Sequence, residues 1–536
     1  MKKGVIMKKI INIINFVRQV EPRKEGKDID LKAPIIEQIR IMRENRLTGT
    51  FLLQYDTMCS SDFMDIIHTC EDFCEIGVWL EIVQPLVEAI GETWRGRYPW
   101  DWHNDVGFLI GYEPNVRLRL IDEAMNQYKL IYGKYPDSVG SWHIDAVSMR
   151  YLSEKYNISA CCICRDQVGI DGYTMQGGYY NQAYYPSVNN MFCPASTKEN
   201  QINMPVFRML GSDPVLAYDH QIFKYPLRHC PTLESAQLGD ESPWVDWFFQ
   251  EVFDGNGLCF QYAQAGQENS FGWKRMSPGI LYQFPKIADM AKRGELEVMT
   301  LGESGKWYRS MYNETPPAAI TAKSSYLDPN VKSVWYNSRF YRANLIWDHG
   351  VVRFRDVYLF NERYQEHYLH KRCDTTACEF RNLPIMDGAL YSNLENNLIA
   401  GLYLKKDGNP VCWTDFQYCE EFPNAVIRLT SELGIATLTF SEMQVEITSD
   451  IDGLMLSPVY DTERVYGRSG KEDETFGNRN NRSTSITFVS NVTADEHSVS
   501  FVFDHFDYSV QVLNGFVNPA FEVCSVNGIM RFLMKQ

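Results

Sequence analysis

A group of polar and aromatic residues lies just beyond one of the most apolar runs of the chain. Residues 258–263 read Leu-Cys-Phe-Gln-Tyr-Ala, which predicts a buried strand. Beyond its end stand a carboxylate, two carboxamides and two aromatic rings: Gln267, Glu268, Asn269, Phe271 and Trp273. Catalytic groups of parallel barrels lie at the carboxyl ends of the strands. Amides can bind hydroxyls and rings can stack on sugar faces, so this group predicts a pocket that binds and cleaves sugars.

Polar side chains also follow the other predicted strands. Glycoside hydrolysis needs one carboxyl group as acid and a second as nucleophile or base. We predict four catalytic carboxylates, with Glu268 or Asp145 as the acid and Asp166 or Glu81 as its partner. The residues predicted to contact substrate are Gln54, Asp56, Trp79, Trp142, His143, Arg165, Gln167, Gln267, Asn269 and Trp273.

Each of these residues also has a structural explanation, and two other functions stay open. Asp56 and Asp145 can cap helices, and Glu81 can form a buried salt bridge with Arg95 or Arg97. Asp56, Asp145 and His143 are a possible ligand set for a metal-dependent hydrolase or deacetylase. The chain has only ten histidines and none pair at helical metal spacing, so we predict no metal site. The third possibility is a non-catalytic sugar-binding protein.

The elements that must position these residues alternate in type along the first part of the chain. Strand-like apolar runs alternate with helical patterns such as Ala33–Glu44 and Pro114–Tyr132. Past about residue 326 the helical pattern stops and short alternating runs predict a β-sandwich. The fold class is therefore α/β plus all-β: a (β/α)7–8 barrel over residues 1–320, which carries the catalytic site, and a β-sandwich over residues 326–536. Residues 467–482 predict an exposed loop.

Composition limits the partners and the location. The 536 residues carry a net charge of −16, which argues against nucleic acid and anionic membranes as partners. No run approaches the length of a membrane span, and the N-terminal residues do not resemble a signal peptide. We predict a cytoplasmic enzyme that acts on a carbohydrate substrate and needs no cofactor. The sequence does not predict an oligomeric state.

Several short motifs resemble those of a known barrel. The order Glu75-Ile76-Gly77, Ser141-Trp142 and Leu301-Gly302-Glu303-Ser304 resembles the barrel shared by polysaccharide deacetylases and family-57-type glycoside hydrolases. Other motifs are similar to those of an uncharacterised, glycoside-hydrolase-like bacterial family with two adjacent domains of unknown function: Asn15–Arg18 with Val20–Pro22, Cys164–Gln167 with Asp171-Gly172, and Gly266–Asn269. The resemblance covers the whole chain and implies a barrel followed by a β-sandwich.

The chain departs from the deacetylase pattern at one point. The resemblance implies two metal-binding histidines after Glu75-Ile76-Gly77, but residues 78–85 contain none. A carboxylate pair is therefore the preferred mechanism, and metal-dependent deacetylation is the alternative.

Overall fold

The structure is a computed structural model. It describes residues 7–24, 29–209, 213–218, 242–255, 257–462, 487–492, 497–504, 506–518 and 521–534. The predicted loop 467–482 lies outside these residues. None of the helices described is long and apolar enough to span a membrane.

The N-terminal part alternates strands with helices. Its strands are β1 (Lys8–Val17), β2 (Thr50–Leu53), β3 (Glu75–Trp79), β4 (Ser138–Gly140), β5 (Ala160–Cys164), β6 (Gln167–Ile170), β7 (Tyr173–Gln176), β8 (Ala183–Tyr184), β9 (Val206–Met209), β10 (Phe260–Ala265) and β11 (Glu297–Met299). Its helices are α1 (Ala33–Glu44), α2 (Tyr55–Met58), α3 (Ser61–Ile67), α4 (Gln84–Ala89), α5 (Pro114–Tyr132), α6 (Ala146–Tyr156), α7 (Ser242–Asp254), α8 (Trp273–Lys292) and α9 (Leu301–Met311).

The parallel strands form one curled sheet around β1. The strand order is β10-β1-β2-β3-β4-β5-β9-β8, and β11 pairs with the first half of β1. Only β8 runs antiparallel to its neighbour. Helix α9 contacts the starts of three strands, which shows that the sheet is curled. Its first turn binds Thr50 and Glu75, at the starts of β2 and β3, and its Gly305 packs on Ser159, just before β5. This helix therefore covers the amino-terminal end of the barrel.

The barrel-like prediction is confirmed, but a closed ring of seven or eight strand–helix units is not shown. In the described residues the sheet ends at β10 on one side and at β8 on the other. The apolar residues of β1 explain its central place, since all eight residues from Ile10 to Val17 are buried between two neighbouring strands.

The strands after residue 317 form antiparallel sheets, except for β16. They are β12 (Ala318–Ala322), β13 (Val331–Asn337), β14 (Tyr341–Asp348), β15 (Val351–Leu359), β16 (Cys378–Arg381), β17 (Leu383–Asp387), β18 (Gly401–Lys406), β19 (Asn409–Pro410), β20 (Asp415–Glu421), β21 (Asn424–Ser431), β22 (Gly434–Phe440), β23 (Gln444–Ser449), β24 (Met455–Val459), β25 (Thr487–Val492), β26 (His497–Phe503), β27 (Phe506–Leu513), β28 (Gly515–Val517), β29 (Val523–Ser525) and β30 (Ile529–Leu533). One short helix, α10 (Gly388–Tyr391), follows β17.

Two large sheets in this part share one apolar core, which confirms the all-β prediction. The first has the order β12-β13-β14-β15-β18-β24-β29-β28, with β17 on β15 and β19 on β18; the second has the order β20-β21-β22-β23-β30-β27-β26-β25. The domain boundary predicted between residues 320 and 326 stays a prediction; β12 crosses residue 320 and pairs with β13.

One segment of the all-β part reaches back to the barrel. Phe360, Tyr368 and Phe380 belong to the barrel's hydrophobic core. Strand β16 pairs in parallel with β7, and β7 pairs with β6, so a three-stranded sheet extends from the carboxyl end of β5. Both parts of the chain therefore build the mouth of the barrel, where the carboxyl ends of its strands meet.

Candidate active site

The centre of the barrel mouth is a buried arginine that binds two glutamates. Arg18 follows β1, Glu81 follows β3 and Glu268 follows β10. Arg18 Nε and Nη2 donate to the two oxygens of Glu81 at 2.8 and 2.6 Å, and Nη1 donates to Glu268 Oε2 at 2.6 Å. All three side chains are at most 5% exposed. The guanidinium fixes both carboxylates by charge-assisted hydrogen bonds.

A second arginine extends this ion-pair network towards the surface. Glu21 Oε2 lies 3.7 Å from Arg18 Nη1 and accepts a hydrogen bond from Arg23 Nη2 at 2.8 Å. Arg23 also binds Asp171, in the turn between β6 and β7. The ring of Trp100 lies below both guanidinium groups, 4.3 Å from Arg18 and 5.0 Å from Arg23. We refer to Arg18, Glu21, Asp56, Glu81 and Glu268 as the mouth cluster.

Amide and indole groups surround Glu81. Gln54 Nε2 donates to Glu81 Oε2 at 2.5 Å, and Trp142 Nε1 donates to Glu81 Oε1 at 2.8 Å. Trp79 stands edge-on to Trp142 and stacks on Phe16. These contacts orient the carboxylate without neutralising it.

Four buried polar atoms around the cluster have no hydrogen-bond partner in the structure: Gln54 Oε1, Trp79 Nε1, Trp100 Nε1 and Gln267 Nε2. Their side chains are all at most 1% exposed. A buried polar group without a partner costs free energy. Unpaired polar atoms beside Arg18 and Glu81 are available to bind a polar ligand.

Asp56 is the acid with the most strongly perturbed ionisation in this cluster. It follows β2 and lies in α2, where its Oδ1 accepts from the Thr57 amide at 2.8 Å. Burial, with a smaller contribution from the charge of Glu81, raises the pKa of Asp56 to about 6. A carboxyl group with this pKa can hold a proton in weakly acidic solution and donate it.

This raised pKa predicts how stability depends on pH. An unfolded aspartate ionises near pH 4. Between about pH 4 and 6 the folded chain binds more protons at Asp56 than the unfolded chain does, so its contribution to stability falls as pH rises. Replacement Asp56→Asn removes the charge and should raise the free energy of unfolding at pH 7 by up to about 3 kcal/mol, with little gain at pH 4. Denaturant unfolding at both pH values measures this.

The matched control is Asp65→Asn, which removes an exposed carboxylate from α3. It should change stability equally little at both pH values. A gain for Asp56→Asn that is the same at pH 4 and pH 7 would contradict the assigned pKa.

The structure brings Glu81 and Glu268 together but places the other two predicted catalytic carboxylates elsewhere. Asp145 caps α6 through the Ser148 amide and pairs with Arg117 at 2.9 Å. Asp166 pairs with Arg208 at 2.7 Å and with Arg342, from β14, at 2.5 Å. Arginine lowers the pKa of Asp166 despite its burial. Asp166 thus joins the barrel to the all-β part.

Some of the predicted substrate-binding residues lie at the mouth cluster and others lie elsewhere. Gln54, Asp56, Trp79, Trp142 and Gln267 lie at the mouth cluster. Asn269 links two loops, since its Oδ1 accepts from the Arg18 amide and its Nδ2 donates to the Arg18 and Leu31 carbonyls. Four of the predicted substrate-binding residues interact with other parts of the protein: His143, Arg165, Gln167 and Trp273.

His143 occupies an apolar pocket on the other side of β4. Its Nε2 lies 2.9 Å from Asn104 Oδ1 and 3.6 Å from Cys378 Sγ, and its ring packs on Phe108 and Phe380. Burial lowers the pKa of His143 to about 3, so the ring is neutral at physiological pH. Gln167 donates to Cys164 Sγ in β5.

Arg165 and Trp273 are partly buried at the edges of the mouth. The Arg165 amide donates to the Met209 carbonyl, which continues the pairing of β5 with β9. Trp273 is the first residue of α8 and packs against the barrel core.

The residues do not fit the metal-dependent alternative. Asp145 is bound to Arg117, and His143 faces Asn104 and Cys378, so these two side chains do not converge with Asp56. Among the residues described, no three His, Cys, Asp or Glu side chains form a group that could hold a metal ion.

The sequence assigned no role to Arg18, Glu21, Ser270 and Trp100. Ser270 Oγ donates to Glu268 and accepts from Arg18 Nη1 at 3.2 Å. The structural alternative paired Glu81 with Arg95 or Arg97, but Arg97 binds Asp101 and Arg95 donates to two backbone carbonyls. The available signal was the position of Arg18 directly after the buried run of β1, where a charge needs a partner.

Comparison with known proteins finds relatives among solved structures. No protein-family model matches the chain, and no curated protein matches it. The crystal structure of an inferred glycoside hydrolase/deacetylase from Parabacteroides distasonis matches with a TM-score of 0.50 and 14% identity, covering 71% of this chain and 92% of that one. Inferred polysaccharide deacetylases from Mycobacterium smegmatis and Pseudomonas aeruginosa match at 11% and 10% identity.

The two deacetylase matches are looser. Each has a TM-score of 0.35; they cover 57% and 56% of this chain, and 91% and 92% of their own lengths. The match to the Parabacteroides structure confirms the predicted deacetylase and glycoside-hydrolase resemblance at the level of fold. Because no family model matches, membership of the uncharacterised family stays a prediction.

Proposed function

We propose that this protein is a hydrolase that acts on carbohydrate, with the mouth cluster as its reaction site. One observation carries the proposal: Glu81 and Glu268 share the guanidinium of Arg18 beside Asp56, at the carboxyl ends of three barrel strands. The fold shared with a structure named as a glycoside hydrolase/deacetylase supports a carbohydrate substrate.

Cleavage of a glycosidic bond is one reaction that this arrangement supports. Asp56 donates its proton to the leaving oxygen while the C–O bond at the anomeric carbon breaks. Glu81 and Glu268 supply negative charge against the oxocarbenium-like transition state. Water then gives its hydroxyl to the anomeric carbon and its proton to a carboxylate. Trp79 and Trp142 offer aromatic surface beside the reacting ring.

Removal of an acyl group from a sugar is the second reaction, and the comparisons fit this alternative better than glycoside cleavage. A specific observation favours it as well. Acyl hydrolysis passes through an oxyanion that needs hydrogen-bond donors. Trp79 Nε1, Trp100 Nε1 and Gln267 Nε2 are buried donors without a partner. In this reaction a carboxylate of the cluster takes the proton of the attacking water, whose hydroxyl joins the acyl carbon. The protonated carboxyl group then gives this proton to the leaving nitrogen or oxygen as the C–N or C–O bond breaks.

A substrate panel tests the proposal. Aryl glycosides and acetylated oligosaccharides are incubated with the full-length protein, with and without a chelator, and released phenol and acetate are measured. We expect hydrolysis of one class, unchanged by the chelator, because the described residues offer no three-ligand set. Binding of sugars without turnover would support the non-catalytic alternative. Neither turnover nor binding would overturn the proposal.

A further inference from the structure

The barrel mouth holds more negative than positive charge. The two guanidinium groups of Arg18 and Arg23 face four carboxylates: Glu21, Glu81, Asp171 and Glu268. Asp56 is a fifth acid beside Glu81. Within the described ranges no other Lys, Arg or His side chain forms an ion pair with these five acids. Water screens Asp171, whose side chain is 37% exposed, but excess negative charge among the buried acids is costly unless a ligand or protons balance it.

An unpaired hydrogen-bond acceptor in the same site indicates which group would balance this negative charge. Gln54 is fully buried, and its Nε2 is held on Glu81 at 2.5 Å, so its carbonyl lies next to that carboxylate. Gln54 Oε1 accepts no hydrogen bond in the structure. An unused acceptor beside two acids requires a donor, and an ammonium group has three.

Aromatic rings line the same place. Trp79 and Trp142 meet at 5.7 Å next to Glu81, with Phe16 stacked on Trp79 and Tyr173 stacked on Trp142. Aromatic faces bind cations, as the face of Trp100 does with Arg18. A divalent metal ion is less suited, because Arg18 stands between Glu81 and Glu268 and keeps them from sharing one ion.

We propose that the mouth cluster binds a sugar that carries a protonated amine, with the ammonium group held by Gln54, Asp56 and Glu81. This rests on the proposed function and names the substrate class of its glycoside-cleaving reaction. An amine-bearing sugar would reduce the excess negative charge of the site by one, whereas an N-acetylated or purely hydroxylated sugar would leave the whole excess in place.

Binding measurements test the proposal without requiring turnover. Calorimetry on the full-length protein compares three oligosaccharides of equal length: a glucosamine oligomer, its fully N-acetylated form and a cello-oligosaccharide. We expect the glucosamine oligomer to bind on the order of tenfold more tightly than the other two, as a charge-assisted hydrogen bond predicts. Tighter or equal binding of the N-acetylated or neutral oligomer would overturn this inference.

Variants locate the amine within the site. Asp56→Asn should remove most of the preference for the glucosamine oligomer, and Asp65→Asn on α3 should leave it unchanged. An unchanged preference in a folded Asp56→Asn protein would also refute the assignment. If the two uncharged oligomers bind as well as the amine, only this inference fails; if no oligosaccharide binds, the proposed function fails with it.

Discussion

Glu81→Gln is expected to lower the rate of hydrolysis by about 10²–10⁴-fold, the usual contribution of a positioned acid or base. The amide has the shape of the carboxylate but lacks its charge, so it can neither take a proton nor stabilise a cationic transition state. The measurement is kcat/KM with the best substrate of the panel, together with a melting curve that shows the variant is folded.

The control for this variant is an Arg–Glu pair outside the site. Glu295 pairs with Arg293 on the surface, with both side chains about half exposed. Glu295→Gln should leave kcat/KM within a factor of two. A folded Glu81→Gln protein with a rate close to that of the wild type would rule out a catalytic role for this carboxylate.

Arg18→Met is expected to lower the free energy of unfolding by about 3–5 kcal/mol, because it leaves buried carboxylates without their counter-charge. The loss should be smaller at low pH, because protonation of carboxyl groups removes their mutual repulsion. Denaturant unfolding at pH 4 and pH 7 measures both effects.

Arg40→Met provides the comparison, because Arg40 binds Glu37 and Glu44 on an exposed face of α1. Exposed pairs of this kind contribute about 0–1 kcal/mol. A loss below about 1 kcal/mol for Arg18→Met would show that the mouth cluster is not held by its arginine.

Local patterns in the sequence were sufficient to predict the limits of two long helices. The predicted helices Ala33–Glu44 and Pro114–Tyr132 have the same limits in the structure. Each has a proline in its first turn, and Pro114–Tyr132 ends at Gly133 with φ of 70°. Such signals lie within a few residues of the element that they define, so one sequence can show them.

The closure of the barrel could not be predicted in this way. Alternating strands and helices indicate a parallel sheet, but whether its two edges meet depends on pairing between distant strands. The position of Glu303 was also ambiguous in the sequence, because it follows an apolar run, as a residue at the end of a strand does. In the structure it completes a capping box with Thr300 on the amino-terminal side of the barrel.

The sequence predicted that the carboxylates of the site follow strands, but it did not predict which residues would bind them. Glu81 and Glu268 meet at Arg18, which lies 63 and 250 residues away in the chain. Asp166 meets Arg342 across 176 residues. Nothing in the local pattern distinguishes an aspartate that joins two parts of a protein from one that faces a pocket, because the deciding contact is long-range.

The most direct test of the account is the position of bound sugar. The Glu81→Gln protein, crystallised with the oligosaccharide that the wild type hydrolyses best, would show it. We expect a sugar ring within hydrogen-bond distance of Asp56 and Gln54, beside Trp79 and Trp142. A sugar bound only away from the mouth cluster, for example on the antiparallel sheets after residue 317, would contradict it.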